Sequence, residues 1–253
     1  MRKELNILFN ALLFYSRIRV PKSVVCNQET LSQAFRYFPL VGLIVGGIGV
    51  GVLWLCSFAL PLNVAVVMAM IAMMLTTGAF HEDGLADFAD GFGAGRDKEG
   101  ILRIMKDSHI GTYGVLALAL VLLLKFTLMS SLGDLQTTII AIVAAQGASR
   151  FIAVTLLSST PYVSSAKSKA THAALGVKWG NVVVAALFGI LPTILLGCQI
   201  LVAYFAVALI AMLIFRGYII RKIGGCTGDT LGAMQQIAEL LFYITIIIIH
   251  SQQ

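Results

Sequence analysis

The sequence predicts an all-α, polytopic integral membrane helical bundle, with about seven transmembrane helices joined by polar loops on the cytoplasmic side. Hydrophobic residues make up 58% of the 253 residues and charged residues only 12%, whereas soluble domains are about 45–50% apolar and 25% charged. The apolar residues are gathered into long runs, and most charged residues lie between those runs. A chain of this composition is expected to use the lipid bilayer as its main solvent.

Seven apolar segments are candidates to cross the bilayer, because a spanning helix needs about 20 mostly apolar residues. Pro192 and Gly197 interrupt a nearly continuous apolar run, so the boundaries between 181 and 215 are the least defined. No long repeat or Pro/Ser-rich linker divides the chain, which predicts a single membrane domain over residues 1–253. The seven predicted spans are 38–60, 62–80, 112–130, 135–158, 181–196, 199–215 and 236–250.

Positive charge marks one side of the predicted bundle. With the N-terminus in the cytoplasm, the inward-facing segments hold 16 of the 18 Lys and Arg residues, as the positive-inside rule expects. The net charge of +6 is explained more simply by a basic face beside anionic lipid than by nucleic acid, so no nucleic-acid partner is predicted. Ten of the 12 acidic residues are also inward. The four segments are 1–37, 81–111, 159–180 and 216–235.

The second predicted span is followed at once by the acidic stretch HEDGLADFADG. Asp83, Asp87 and Asp90 follow a 0, 4, 7 spacing, which places all three within about 60° of arc on a helix. Neighbouring carboxylates repel each other, and more strongly near hydrocarbon, where screening is weak. A hard divalent cation, most simply Mg²⁺ bridging to a substrate pyrophosphate, would relieve that repulsion. The same geometry predicts that His81 and Glu82 point away from this face.

The alternative is a polar loop that carries acids only to stay in water. That alternative accounts poorly for the helical register, and for acids that begin as soon as the apolar segment ends. The metal-binding interpretation is therefore preferred, with Asp83, Asp87 and Asp90 as the predicted ligands.

Two further inward stretches, IMKDSHIGTYG and RKIGGCTGDTLGA, mix charge with hydrogen-bonding groups. Lys106 and Arg221 are candidates to hold phosphate oxygens, and Asp229 is a candidate fourth carboxylate of the metal site. Plain anchoring at the membrane surface explains the basic residues equally well, and that alternative stays open. The other candidate substrate-binding residues in these stretches are Asp107, Ser108 and Thr227.

Two charged residues fall inside predicted spans. Arg150 and Glu239 are costly in a bilayer unless they are paired or line a polar cavity. They are expected either to pair with each other or to reach the site, and are included as candidate substrate-binding residues. Gly42 and Gly46 are expected to mark close packing between helices.

These motifs resemble those of a known family. HEDGLADFADG fits the H-x-D-G-L-A-D-x-x-D-G signature of the cobalamin-5′-phosphate synthases (adenosylcobinamide-GDP ribazoletransferases). IMKDSHIGTYG resembles their M-[RK]-D-S-x-x-G-T segment, and GGCTGDTLGA their G-G-x-T-G-D-x-L-G-A segment. The resemblance runs over about residues 8 to 240, with the three motifs in the family's order. Lys106 and His109 stand where arginine is common in the family, and Phe88 replaces a usually small or polar residue.

The resemblance implies a Mg²⁺-dependent transferase of the prokaryotic cytoplasmic (inner) membrane, with its active site facing the cytoplasm. Such an enzyme joins adenosylcobinamide-GDP to α-ribazole or α-ribazole 5′-phosphate, and releases adenosylcobalamin or its 5′-phosphate together with GMP. Asp83, Asp87, Asp90 and Asp229 would be catalytic. Partners would be these two substrates, the bilayer and other enzymes of the late cobalamin pathway.

Two other functions remain as alternatives. An ion-coupled transporter would also need intramembrane charges, but carrier sites lie near the bilayer midplane, whereas these acids follow the inner end of a span. A lipid enzyme like the CDP-alcohol phosphotransferases would use similar chemistry. The full D-x-x-D-G-x-x-A-R pattern of those enzymes is absent from this sequence.

Overall fold

The computed structural model describes residues 2–163 and 179–252. Within these ranges the chain forms eleven α-helices, and 3₁₀ turns cover Phe35–Tyr37 and Leu191–Leu196. Most of the inward segment predicted at 159–180 lies outside the described residues. The helices are α1 Arg2–Tyr15, α2 Gln28–Ala34, α3 Phe38–Ser57, α4 Leu62–Thr77, α5 Phe80–Ala94, α6 Lys98–Ile104, α7 Thr112–Ser130, α8 Leu135–Ser159, α9 Trp179–Ile190, α10 Cys198–Ile223 and α11 Gly228–His250.

The helical bundle is that of a polytopic integral membrane protein. Five continuous helical segments of the described chain are long and apolar enough to cross a bilayer. They are the segment Gln28–Ser57, which contains α2 and α3, and the helices α7, α8, α10 and α11. The pair α4 and α5 qualifies as a sixth only if it is counted as one bent span, and Gly180–Leu196 is a shorter apolar helix. All seven predicted apolar segments are therefore helical, but two of them are not simple full-length spans.

The predicted second span ends earlier than expected. Two consecutive residues, Gly78 (φ 71°) and Ala79 (φ 58°), adopt the left-handed conformation and end α4. The helix axis then turns by 86° into α5. The turn is compact, because the backbone N–H of Arg17 donates to Thr76 O at 2.7 Å and the Arg17 side chain packs against Gly78. The acidic helix therefore runs across the end of the bundle instead of continuing the span.

Glycines set the closest helix contacts at the centre of the bundle. A side chain at Gly42 would overlap the carbonyl oxygen of Gln146, and one at Gly46 would lie 3.1 Å from Val143 Cα. The close packing predicted for Gly42 and Gly46 is thus confirmed, and it joins α3 to α8. Most of α8 and α11 is buried within the protein, whereas only a small part of α7 and α10 is. The bundle therefore has α8 and α11 at its centre.

The two ends of α11 define the two ends of the bundle. Its first turn holds Asp229 beside the acidic helix, and it runs for 23 residues to His250, a length of about 34 Å. At that far end lies the N-cap of α8, Asp134. Hydrogen bonds from Thr137, and to a smaller extent the charge of His250, hold the pKa of Asp134 below its usual value. The acidic cluster and the Asp134 turn thus lie at opposite ends.

This arrangement predicts opposite membrane exposure for two positions. In a cysteine-free variant, a membrane-impermeant maleimide should label Arg96→Cys only in inverted vesicles and Gln136→Cys only in right-side-out vesicles, because both side chains are exposed at opposite ends of the bundle. The unmutated cysteine-free protein is the control. Labelling of both positions in the same vesicle orientation would contradict the predicted orientation of the helices in the membrane.

Candidate active site

The acidic stretch forms the helix that its spacing predicted, with α5 running from Phe80 to Ala94. Along this face, Asp83 is exposed, Asp87 is half-buried and Asp90 is buried. His81 is buried on another side of the helix, where its ring stacks against Phe38 with centroids 5.6 Å apart. The three aspartates thus lie on a different face from His81, as expected.

Two small residues let the N-terminus of α11 approach this helix. A Cβ added to Gly84 would lie 3.1 Å from both Cα and O of Asp229. A Cβ added to Gly232 would lie 3.2 Å from the carbonyl oxygen of His81 and 3.4 Å from Gly84 Cα. The two backbones are therefore in direct contact. This contact brings Asp229 to the aspartates of α5, although 139 positions separate Asp90 from Asp229.

The four aspartates form one electrostatic cluster. The pKa of Asp87 is raised to about 7, first by burial and then by the negative charges of Asp229, Asp83 and Asp90. Burial and neighbouring negative charges both disfavour the ionised form of a carboxyl group, so they raise its pKa together. The four carboxylates are therefore close enough to interact electrostatically, and the bound cation stays a prediction.

Asp90 has a further, structural interaction. Its two carboxylate oxygens accept hydrogen bonds from the backbone N–H groups of Gly111 at 2.7 Å and Gly114 at 2.8 Å. These groups belong to the first turn of α7 and its N-cap, where unpaired N–H groups and the helix dipole favour a negative charge. A Cβ at either glycine would overlap the Asp90 carboxylate. The G-T-Y-G part of the second motif thus binds the Asp90 carboxylate through its two glycine N–H groups.

The donor chemistry of the cluster fits Mg²⁺, which prefers oxygen ligands and usually keeps several waters. In the described ranges, no three His, Cys, Asp or Glu side chains are already arranged around one point as metal ligands. In the described part of the chain, the carboxylates of Asp83 and Asp87 accept no hydrogen bond, and that of Asp229 accepts a 3.4 Å bond from the Thr227 hydroxyl and one from its own backbone N–H. Their carboxylates remain available to a cation with water in its shell.

A cleft of about 230 Å³ lies beside Asp229. Lys106 and Thr227 line it together with Asp229, so three of the predicted site residues share one opening. Thr227 is the N-cap of α11: its hydroxyl accepts from the Thr230 N–H at 3.3 Å, and its own N–H donates to Thr230 Oγ1 at 2.8 Å. This capping box fixes the backbone of the first turn, and with it the position of Asp229.

The remaining basic-motif residues lie at the edge of this region. Asp107 and Ser108 are exposed beside Lys106, and Asp107 accepts hydrogen bonds from His109 Nδ1 at 2.7 Å and from the His109 N–H at 3.1 Å. Arg221 lies in the last turn of α10, is exposed, and does not line the cleft. The structure thus brings Lys106 to the cleft but leaves Arg221 outside it.

Arg150 and Glu239 lie elsewhere, in a buried polar network inside the bundle. They do not pair directly: Gln146 bridges them, donating to Glu239 Oε1 at 2.8 Å and accepting from Arg150 Nη1 at 2.6 Å. The ionic partner of Glu239 is Lys125, whose Nζ lies 3.1 Å from Glu239 Oε2. Lys125 also donates to Gln236 Oε1 at 2.7 Å. Of the two alternatives left by the sequence, direct pairing is therefore wrong.

The network reaches the acidic helix through Glu82. Gln236 donates to Glu82 Oε1 at 3.1 Å, and Gln235 donates to Glu239 Oε2 at 2.9 Å. Glutamine side chains thus connect the carboxylates of Glu82 and Glu239 with the cations of Lys125 and Arg150. Glu82 points away from the aspartate face, as predicted, but its hydrogen bond to the network was not predicted from the sequence. The glutamines within otherwise apolar segments were the signal that could have identified the network.

Phe88, which departs from the family signature, packs against another span. Its ring centroid lies 4.4 Å from that of Phe92 and 5.1 Å from that of Phe215 in α10. This aromatic contact joins the acidic helix to α10, on a side of α5 that the aspartates do not use.

The bonds made by Asp90 predict a difference in stability between two similar variants. Asp90→Asn should lower the free energy of unfolding by about 1.5–3 kcal/mol, because it removes charge-assisted hydrogen bonds to α7. Asp83→Asn, at an exposed position of the same face, is the matched control and should change it little. Denaturant unfolding in mixed micelles measures both, and equal losses would contradict a special role for Asp90.

The buried network predicts coupling between Lys125 and Glu239. Lys125→Met should cost about 3–5 kcal/mol, since it leaves a buried carboxylate without its cation. The double variant Lys125→Met/Glu239→Gln should be more stable than the single variant, because no charge of the pair remains. Leu124→Met, at an exposed position of the same helix, is the control. Additive losses in unfolding experiments would show that the pair does not interact.

Comparison with known proteins places this geometry in a family. The family model described as Cobalamin-5-phosphate synthase matches residues 7–247. No solved structure gives a significant match.

Curated relatives match over nearly their full length. Three are named adenosylcobinamide-GDP ribazoletransferase. The protein from Vibrio cholerae serotype O1 is 42% identical over 248 residues, 98% of this chain and 95% of its own length. The protein from Shewanella amazonensis is 43% identical over 255 residues, covering 99% and 98%. The protein from Ralstonia pickettii is 43% identical over 243 residues, covering 95% and 94%. Both the family model and the relatives cover almost the whole chain, which therefore belongs to the cobalamin-5-phosphate synthase family.

Proposed function

We propose that this chain is a ribazoletransferase of cobalamin biosynthesis. It transfers the adenosylcobinamide phosphoryl group from adenosylcobinamide-GDP to α-ribazole or α-ribazole 5′-phosphate, giving adenosylcobalamin or its 5′-phosphate and GMP. The names of the full-length relatives support this assignment. The single structural observation that carries it is the meeting of Asp229 with the α5 aspartates beside a cleft that Lys106 lines.

The reaction breaks a phosphoanhydride bond and forms a phosphate ester. A ribosyl hydroxyl oxygen forms a bond to the phosphorus that carries the cobinamide group, the bond from that phosphorus to the bridging oxygen breaks, and GMP leaves. The hydroxyl proton is released. Phosphoryl transfer of this kind depends mainly on positioning and on stabilising negative charge. A site of fixed carboxylates and a nearby lysine suits that task better than a covalent nucleophile would.

The aspartates are the proposed site for Mg²⁺. Asp83, Asp87 and Asp90 would hold the ion, with Asp229 as a fourth carboxylate. A carboxylate has about four lone-pair positions, so the two N–H bonds to Asp90 leave capacity for a ligand. The bound ion would neutralise charge on the pyrophosphate. The chain's own contribution is to fix these carboxylates on two helices that touch through Gly84 and Gly232.

The polar residues around the cleft are proposed to bind substrate. Lys106 lines the cleft and is placed to hold a phosphate oxygen as a point charge, while Asp107 and Ser108 follow it at the exposed rim. Thr227 orients Asp229 through the helix cap. Arg221, on the same side of the bundle, would bind only the outer part of a large substrate.

Arg150 and Glu239 are proposed as positioning residues. Both are about 1% exposed, and their network reaches the site through Gln236 and Glu82. In this role they hold α5 against α11 and do not contact the substrate. Their cost within a bilayer is offset because the charges are paired through hydrogen bonds.

The proposed location is the cytoplasmic membrane, with the cleft open to the cytoplasm. The orientation predicted from the sequence supports this location, since it puts the basic segments on the same side of the membrane as the aspartates. In that position the site can receive phosphorylated substrates from the cytoplasm.

Activity should depend on Mg²⁺ and on the aspartates. Purified full-length protein in liposomes, given adenosylcobinamide-GDP and α-ribazole, should release GMP with Mg²⁺ and none in excess EDTA. Asp83→Asn, Asp87→Asn and Asp229→Asn should each lower turnover by at least about 100-fold, the scale for one lost preorganised electrostatic contact.

Glu99→Gln is the matched control, because this acid is exposed on α6 and lies outside the cluster. Its turnover should stay within about twofold of the unmutated protein. Full turnover in EDTA would overturn the metal assignment. Release of CMP from a CDP-alcohol with none from adenosylcobinamide-GDP would favour a lipid enzyme instead, and ion flux without product would favour a transporter.

A further inference from the structure

Tyr162, which lies outside all three sequence motifs, reaches the cleft of the candidate site. Its side chain lines that cleft together with Lys106, Thr227 and Asp229. In the chain it stands three positions after the end of α8 at Ser159, far from the residues beside it in space. Its place at the cleft is therefore a product of the tertiary structure.

The backbone around Tyr162 is fixed by the loop between α10 and α11. The N–H of Cys226 donates to Pro161 O at 2.8 Å, and the N–H of Val163 donates to Cys226 O at 2.8 Å. Tyr162 and Cys226 thus form a parallel bridge. Gly225 permits this pairing, because an added Cβ there would overlap the carbonyl oxygen of Pro161. The G-G-C part of the third motif therefore holds Tyr162 beside the start of α11.

The hydroxyl group of Tyr162 lies at the N-terminus of α11. Its oxygen would be 3.9 Å from a Cβ added to Gly228, the residue before Asp229, and that Cβ would meet no other nearby side chain. The ring also borders a small space whose lining is almost wholly apolar. The polar end of the side chain therefore belongs to the cleft and not to that apolar space.

This hydroxyl is a hydrogen-bond donor at neutral pH. The pKa of Tyr162 is raised to about 12, first by burial and then by Cys226 and Asp229, while the backbone of Gly228 opposes the rise. The phenol therefore keeps its proton and does not serve as a base. Within the described residues that proton has no acceptor, so it can be donated to a ligand.

We propose that Tyr162 contacts the substrate, with its hydroxyl donating a hydrogen bond to a phosphate oxygen of the nucleotide-activated substrate. The inference rests on the proposed function. A phosphate oxygen accepts hydrogen bonds, so it matches a hydroxyl that donates. Lys106, which lines the same cleft, would supply positive charge to the same pyrophosphate. An attacking ribosyl hydroxyl fits less well, because it needs an acceptor for its proton.

Tyr162→Phe tests this contact, because it removes the hydroxyl and keeps both the ring and the backbone pairing. Tyr218→Phe is the matched control, since Tyr218 is an exposed tyrosine of α10 that does not line the cleft. Isothermal titration calorimetry of the full-length protein in detergent, with Mg²⁺ present, measures the binding of two ligands. GDP carries a pyrophosphate, and guanosine is the same nucleoside without one.

Tyr162→Phe should weaken GDP binding at least about tenfold, the scale for one hydrogen bond to a charged group. Guanosine binding should stay within about twofold, and Tyr218→Phe should change neither ligand. A merely structural role at the end of α11 would weaken both ligands alike, and that result would overturn the proposal. Unchanged GDP binding by a folded Tyr162→Phe protein would overturn it as well.

Turnover separates this contact from the transferase reaction itself. In Tyr162→Phe, kcat/KM for adenosylcobinamide-GDP should fall at least about tenfold, because the lost contact is to that substrate. GDP binding that depends on Tyr162, in a protein that releases no GMP from adenosylcobinamide-GDP, would reject the proposed reaction while the contact stands. GMP release with an unchanged kcat/KM in Tyr162→Phe would reject the contact alone.

A labelled tyrosine gives a second measurement if Tyr162→Phe does not yield a monodisperse protein. Fluorotyrosine incorporated at position 162 keeps the hydroxyl, and its fluorine resonance reports the surroundings of the ring. That resonance should shift when GDP is added with Mg²⁺ and stay in place with guanosine. A resonance that saturating GDP leaves unchanged would overturn the proposal.

Discussion

The direct contact between α5 and the start of α11 is the constraint on which the rest of the site depends. Gly84 and Gly232 allow the two backbones to touch: Gly84 faces the backbone of Asp229, and Gly232 faces the carbonyl oxygen of His81. A side chain at either position would have to push the helices apart by a few tenths of an ångström. Asp229 joins the three aspartates of α5 because this separation is so small, although it belongs to a distant part of the chain.

A cluster of like charges opposes folding, so other interactions must hold these helices in place. Asp90 is held by two backbone N–H groups of α7, which ties one end of α5 to a spanning helix. Glu82 is held by Gln236 of α11 at the other end. The acidic helix is therefore anchored by the two acids whose carboxylates have such partners, while Asp83 and Asp87 stay available for chemistry.

The interior of the bundle carries charges for a structural reason. Lys125 and Glu239 form an ion pair, and Gln146 connects it to Arg150. Buried ion pairs give little net stability, but a wrong helix register would leave a charge unpaired in an apolar surrounding. The network thus favours one arrangement of α7, α8 and α11, and through Glu82 the position of the site depends on that arrangement.

The sequence by itself determined the membrane class, the helical character of all seven apolar segments and the common face of Asp83, Asp87 and Asp90, because composition and local periodicity act over a few turns. Only the tertiary structure decided the bend at Gly78 and Ala79, where alanine gives no local signal for a left-handed residue. It also decided that Arg150 meets Glu239 through a glutamine. These features depend on which helices lie side by side, and packing between distant segments is not encoded in any one of them.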